Sequence, residues 1–244
     1  FNSNPFDLKT NTKNFMLGSR FAMVMHGQIS YYQPVSQVFG FRFGLGITHF
    51  SNGAYTQPNS GINVFYASLG AVGWPEKQRI SISTPEPPFL VDRRFSMEAF
   101  ASFALVEKLP VGGPKYPVYQ ASVRPGYRLG RKSSIYAGLD FCYNEARAQL
   151  IREKPWFGKR EGRLGFLLGH ELHISKLSLL TDFGFYLIKP NDIDPWLYQR
   201  YGFRYRFSNP LSLLLLLKVH RSKAECLELG FGYLFFKFKT TKQP

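Results

Sequence analysis

His49, Ser51, Asn52, Gly53, Asn59 and Asn63 fall within fifteen consecutive residues, HFSNGAYTQPNSGIN. A histidine and a serine two positions apart on a strand share a face, about 7 Å apart at the backbone. An imidazole so placed can approach the serine hydroxyl and take its proton as a general base. Asn52, Gly53 and Asn59 supply amide and backbone N–H groups of the kind that stabilise an oxyanion. In an antiparallel hairpin Asn63 comes alongside His49 and can hold its ring, as the third member of a triad does. The chemistry such a set could perform is hydrolysis through a serine nucleophile. Asn, Gly, Ser and Pro are also ordinary turn residues, so the spacing of His49 and Ser51 alone leaves a plain turn open.

The elements that must carry these residues are strands. Alternation of period two repeats along most of the chain. Phe41, Phe43, Leu45 and Ile47 alternate with Arg42, Gly44, Gly46 and Thr48. Ile135, Ala137, Leu139, Phe141 and Tyr143 alternate with Ser134, Gly138, Asp140 and Asn144, and Tyr201, Phe203, Tyr205 and Phe207 with Arg200, Gly202, Arg204 and Arg206. The pattern predicts about eleven strands, at 18–32, 38–50, 62–74, 93–107, 117–129, 133–147, 162–174, 177–188, 197–207, 210–220 and 224–238. Longer polar links are expected at 75–92 and 149–162.

Many of these segments reach the roughly 9–11 residues that a membrane-crossing strand needs. One face is almost uniformly apolar, whereas the other carries Arg, Asp and Glu in mid-strand beside many glycines. That combination favours an all-β, antiparallel transmembrane β-barrel over a soluble barrel or sandwich. The expectation is one barrel over 1–244 with about 11 or 12 strands. Residues 1–74 carry the serine–histidine motif, and 93–238 add further strands or make a second barrel. By parity His49 and Ser51 continue the apolar face, which in a barrel looks outward to lipid, at the end of their strand.

The 244 residues include 24 Phe, 14 Tyr and 22 Gly, with 19% charged residues, a balance that suits β-barrels better than helical bundles. The formal net charge of +15 points to an anionic partner: nucleic acid, a phosphorylated lipid or a membrane surface. The nucleic-acid reading is the weaker one, because the aromatics lie on the continuous apolar face rather than among the basic residues. No apolar run is long enough for a membrane helix. The opening FNSNPFDLKTNTKNF shows no targeting segment and is read as the start of a mature form or of a fragment. Cys142 and Cys226 lack metal spacing; they form one disulfide or stay two free thiols.

No cofactor or metal is expected. His170 and His173 flank Glu171 but point to opposite faces of a strand, which disfavours a metal site. Glu98, Asp140, Asp182 and Glu228 are expected to pair with Arg124, Arg200, Arg204 and Arg206 inside the barrel. The clusters Asp92-Arg93-Arg94, Arg152-Glu153-Lys154, Lys159-Arg160 and Lys237/Lys239 read as solvated ends or loops, some able to hold lipid phosphates.

The stretch His49-Phe50-Ser51-Asn52-Gly53-Ala54, followed by Gln57-Pro58-Asn59-Ser60-Gly61-Ile62-Asn63, resembles the signature of the PagL-type lipid A 3-O-deacylases, also called acyloxyacyl hydrolase-like proteins. The match is ordered and gap-free over fifteen residues. The preceding PFDLKTNTKNFMLGSRF is similar to longer members of the group from Bacteroidetes-type bacteria, and the resemblance covers roughly residues 5–74. It implies a bacterial outer-membrane barrel that hydrolyses the ester at the 3-position of lipid A, with lipopolysaccharide and outer-membrane lipids as partners. By position it assigns Ser51 as nucleophile, His49 as general base and Asn59 as oxyanion contributor, helped by the backbone near Asn52 and Gly53. The family pattern carries a glutamate where this chain has Asn63. Asparagine can accept a hydrogen bond from the imidazole but brings no charge to an imidazolium. The alternatives are a catalytically degenerate lipopolysaccharide-binding barrel and a porin-like channel.

Overall fold

The computed structural model describes residues 4–36, 38–73, 94–108, 110–207, 210–221 and 223–239. The polar link expected at 75–92 and the Asp92-Arg93 pair lie outside the described residues. Three strands, β1 (Met23–Pro34), β2 (Phe39–Ser51) and β3 (Ile62–Gly73), form an antiparallel sheet in the order β1-β2-β3. Eight more close a separate barrel: β4 (Arg94–Glu107), β5 (Lys115–Arg128), β6 (Ser133–Asn144), β7 (Arg163–Ile174), β8 (Leu177–Ile188), β9 (Leu197–Arg206), β10 (Leu211–His220) and β11 (Lys223–Lys239). The expected barrel of 11 or 12 strands is therefore corrected to one of eight. The cause is the closing ladder: β11 pairs with β4, so the ring is complete without the first three strands.

Alternation sorts side chains across the barrel wall. Phe103, Tyr119, Phe141, Phe183, Phe203 and Phe231 point outward and are exposed. The alternate positions turn inward, and eight strands leave an interior that side chains can just fill. Arg124 meets Asp182 at 3.0 Å, and Arg200 reaches Asp140 at 3.0 Å and Glu228 at 3.2 Å. Arg204 pairs with Glu98 and Glu171, and Arg206 with Glu98 at 3.3 Å. Desolvated charges persist only when paired in this way. Small residues make room for the bulky ones; a Cβ on Gly184 would lie 2.1 Å from the Tyr198 ring. Cys142 and Cys226 are both buried free thiols.

One helix interrupts the pattern. The strand expected over 133–147 ends at Asn144, and α1 (Glu145–Glu153) follows. The Asn144 side chain accepts the Arg147 N–H at 3.3 Å, the usual cap of a helix start. Ala146, Ala148 and Ile151 are buried, and Ala146 packs with Val118, Cys142 and Cys226 at one end of the barrel. Glu145 accepts hydrogen bonds from Tyr143, Gln149 and Arg152. These, the Tyr143 hydroxyl foremost, hold its carboxyl below the usual carboxylate range. No helix among the described residues is long and apolar enough to cross a membrane, which says nothing of crossing by strands.

Candidate active site

The site forms where β2 ends. In the β2–β3 ladder His49 lies directly opposite Asn63, and the imidazole Nδ1 meets Asn63 Oδ1 at 2.7 Å. With a carbonyl oxygen as partner, Nδ1 carries the proton and donates it. In the neutral ring Nε2 is then the free acceptor. The far edge of the ring faces Gly61, where a Cβ would stand 3.0 Å from His49 Cε1 and 3.7 Å from Nε2. Gly61 has φ +71, a left-handed conformation that glycine adopts without penalty. Its role in giving the imidazole space was not among the sequence expectations. The signal available was a glycine two residues before the strand residue that holds the ring.

Ser51 closes the same strand, and its residue is 1% exposed. The parity expectation of an outward, lipid-facing serine is thus corrected: the strand end turns against the barrel and is covered. Ser51 Oγ accepts the Gly53 N–H at 3.1 Å and the Asn59 Nδ2–H at 3.2 Å. Two donors occupy the lone pairs of the hydroxyl oxygen, and Asn59 Oδ1, at 3.4 Å, is the acceptor of the hydroxyl's own proton. Asn59 is oriented by the Asn52 N–H, which donates to its Oδ1 at 3.0 Å. That bond turns the amide so that Nδ2 faces the serine. The Asn52 side chain points elsewhere, with Nδ2 donating to Thr56 O at 2.7 Å and Oδ1 buried without a partner. The structure therefore brings Gly53 and Asn59 onto Ser51, and His49 onto Asn63. It draws no hydrogen bond between His49 and Ser51.

Two neighbours hold the loop that follows Ser51. The first is the segment before β1: Leu17 bridges to Asn59, Gly18 N–H donates to Pro58 O at 2.7 Å, and Ser60 N–H donates to Met16 O at 3.1 Å. The second is the barrel. The β11–β4 ladder begins only at Leu229 opposite Phe103, so the last residues of β4 and the first of β11 are not laddered to each other. The loop enters that split seam. Glu107 N–H donates to Ala54 O at 3.2 Å, and Ala54 joins the buried cluster of Ala104, Val106, Val118 and Cys226. A Cβ on Gly53 would lie 2.7 Å from Leu227 Cβ. Met23, paired with Ser51 across the β1–β2 ladder, packs on Leu217, Val219 and Ala224. Alternation cannot reveal such docking, because it carries no information about which strands part.

A second polar cluster sits at the same end of the barrel. Asp194, His220 and Glu225 offer ligand atoms within 4.8 Å of one another. Arg163 and Arg147 already pair with Glu225 at 2.5 and 3.1 Å, and each meets Asp194 at 3.0 Å. Cations at those distances fit an ion network better than a metal centre. His170 and His173 bond separately to Ser133 and Ser134 at 2.7 Å each.

Fold and site together define a class: antiparallel β-barrel proteins with an apolar outer wall and a filled ionic interior, bearing serine, histidine and amide groups on a strand-end loop. Residues 1–71 match the family described as Lipid A 3-O-deacylase (PagL), and residues 95–238 match the Acyloxyacyl hydrolase, C-terminal domain. The chain belongs to the PagL family of lipid A deacylases, which are ester hydrolases. The first match ends within β3 and the second begins within β4, so the two matches divide the chain where its topology divides. No curated protein matches the chain.

Proposed function

We propose that this protein is an outer-membrane carboxylic-ester hydrolase that removes the 3-position acyl chain of lipid A through Ser51, His49 and Asn63. The observation that carries the reading is the 2.7 Å contact of His49 Nδ1 with Asn63 Oδ1. It fixes the tautomer in which Nε2 can accept a proton. Ser51 Oγ attacks the ester carbonyl and gives its proton to Nε2. The tetrahedral oxyanion is stabilised by N–H donors of the kind that Asn59 and Gly53 aim at the serine. Collapse breaks the bond to the sugar oxygen, which takes the proton back from His49 as it leaves. A water, deprotonated by the same nitrogen, then frees the fatty acid and regenerates Ser51. The contact between hydroxyl and imidazole forms in this reading when substrate binds; catalytic hydrogen bonds commonly tighten at that step.

The outer-membrane assignment is supported by the exposed apolar wall and by the uneven connections at the two barrel ends. At one end the links 129–132, 175–176 and 207–210 are all short, whereas at the other 108–114, 145–162 and 189–196 are longer and 221–222 is short. In outer-membrane barrels short turns face the periplasm and long loops face outside. The Ser51 loop docks at the long-loop end, beside Glu107, on the side where lipopolysaccharide resides. The interior filled by Arg124, Arg200, Arg204, Asp140 and Asp182 argues against the porin-like alternative.

The test is mass spectrometry of lipid A after incubation of purified lipopolysaccharide with the detergent-solubilised protein. The expected result is loss of one acyl chain, abolished by Ser51→Ala; no loss, or an equal loss with Ser51→Ala, overturns the reading. A second reading, a lipopolysaccharide-binding barrel without turnover, is favoured by two observations: the burial of Ser51 and its lack of a bond to His49. It predicts binding with an unshortened lipid A.

A further inference from the structure

The barrel interior is not filled evenly. At the end away from Ser51, where links 129–132 and 175–176 lie, it holds a cavity of about 190 Å³. Four arginines line it, Arg124, Arg128, Arg204 and Arg206, against two carboxylates, Glu98 and Glu171. The carboxylates are already shared: Glu98 pairs with Arg204 and Arg206, and Glu171 with Arg204. Arg128 has no carboxylate partner among the described residues and donates only to the backbone carbonyls of Gly130 and Arg131. Arg124 and Arg204 are each 2% exposed, yet neither is fully bonded. Arg124 donates through Nε to Ser122 Oγ at 2.9 Å. Its Nη1 and Nη2 find no aligned acceptor among the described residues, although Asp182 Oδ2 lies 3.0 Å from Nη2. The Nε of Arg204 is likewise without an acceptor. The Arg124 guanidinium lies over the Phe100 ring at 4.3 Å and the Tyr136 ring at 5.2 Å, which hold its plane.

We propose that this cavity binds a phosphate group, supplied as free phosphate or by the headgroup of a phospholipid at that rim of the barrel. Buried donors without acceptors call for a partner. Water would accept their hydrogen bonds but brings no charge to offset the excess of arginine. A phosphate brings both, and its oxygens match the fork of a guanidinium. In the outer-membrane reading the short-turn end faces the periplasm, so the cavity is served from the side opposite the Ser51 loop. The proposal does not depend on ester hydrolysis, because the two sites occupy opposite ends of the barrel.

The experiment is equilibrium dialysis of the full detergent-solubilised chain against radiolabelled inorganic phosphate near neutral pH. Wild type, R128Q, R206Q and R152Q are compared, with far-UV circular dichroism as the check on folding. Arg128 and Arg206 are half-buried beside the turns, so their loss leaves the deeper ion pairs in place. Arg152 lies on α1 at the other end and controls for attraction to the cationic surface as a whole. The expected result is one saturable site per chain, weakened about tenfold or more in R128Q and in R206Q and unchanged in R152Q. No saturable site in wild type, or equal affinity in all four folded proteins, overturns the proposal. A second arm adds dihexanoyl phosphatidylglycerol. Displacement of the labelled phosphate assigns the site to a lipid headgroup, and retention assigns it to the free anion.

Discussion

His49 and Asn63 face each other across the β2–β3 ladder, and their side chains meet at 2.7 Å. The pairing is a consequence of register: the hairpin loop of ten residues between Ser51 and Ile62 returns the chain so that the two positions share one rung. An amide on that rung fixes the ring, but it adds no charge to stabilise an imidazolium.

Restoring the charge should raise turnover. Asn63→Glu is expected to increase acyl release by about tenfold or more, and Asn63→Ala to decrease it, since triad enzymes lose large factors when the acid becomes an amide. Initial rates of fatty-acid release under saturating substrate check this. An unchanged rate in both variants would show that the rung contributes nothing to catalysis.

Gly61→Ala is expected to cut activity by about a hundredfold while leaving the barrel folded. The new methyl would stand 3.0 Å from His49 Cε1 at a residue with φ +71. Activity is read beside far-UV circular dichroism. Full activity with an intact spectrum would mean that the ring has room to spare.

Asn59→Ala removes one of the two donors on Ser51 Oγ. The expected loss is about 10²–10³ in kcat with little change in KM, the pattern of a group acting on the oxyanion. Asn52→Ala keeps the backbone N–H that orients Asn59 and is expected to cost far less. Steady-state kinetics on the two variants decide the order.

The ion network inside the barrel carries stability rather than turnover. Arg200 bonds both Asp140 oxygens, at 3.1 and 3.0 Å, and Tyr198 donates to the same carboxylate at 3.0 Å. Asp140→Ala leaves buried Arg200 with Glu228, at 3.2 Å, as its nearest carboxylate and is expected to cost about 3 kcal/mol. Urea unfolding in detergent or lipid measures it, with the activity of the folded fraction retained.

Acid should loosen α1. Glu145 has its carboxyl held below the ordinary range by Tyr143, Arg152 and Gln149. A lowered value in the folded state means that this stabilisation is present above the unfolded group's range and is lost as pH falls through the folded one. Amide exchange within Glu145–Glu153 should therefore quicken, relative to β6, on acidification below the usual glutamate range. Because the group lies near the surface, the change should be small and weaker at high salt.

Strand identity and side-chain direction were legible in the sequence because they are local. Alternation of Phe41, Phe43, Leu45 and Ile47 with Arg42, Gly44, Gly46 and Thr48 needs no knowledge of the partner strand. The same holds for the meeting of Glu98, Asp140, Asp182 and Glu228 with Arg124, Arg200, Arg204 and Arg206 inside the barrel, whereas which acid meets which arginine, such as Asp140 and Glu228 with Arg200, is set by the closed ring. The helix at Glu145–Glu153 went unread although Asn144 and Glu145 form an ordinary cap and first turn. Its apolar positions are too few to stand out against the strand before it.

By itself, then, the sequence determined an antiparallel all-β chain with an apolar and a polar face, and the hairpin that sets His49 beside Asn63. Only the tertiary structure decided that β11 closes on β4 to leave β1–β3 outside the ring. It also decided that the seam splits above Leu229 and that the Ser51 loop enters there, burying the serine. The physical reason is that period two fixes which way a side chain points, whereas closure and docking depend on partners far away along the chain, such as Leu229 with Phe103 and Ala54 with Glu107. No local pattern encodes that choice.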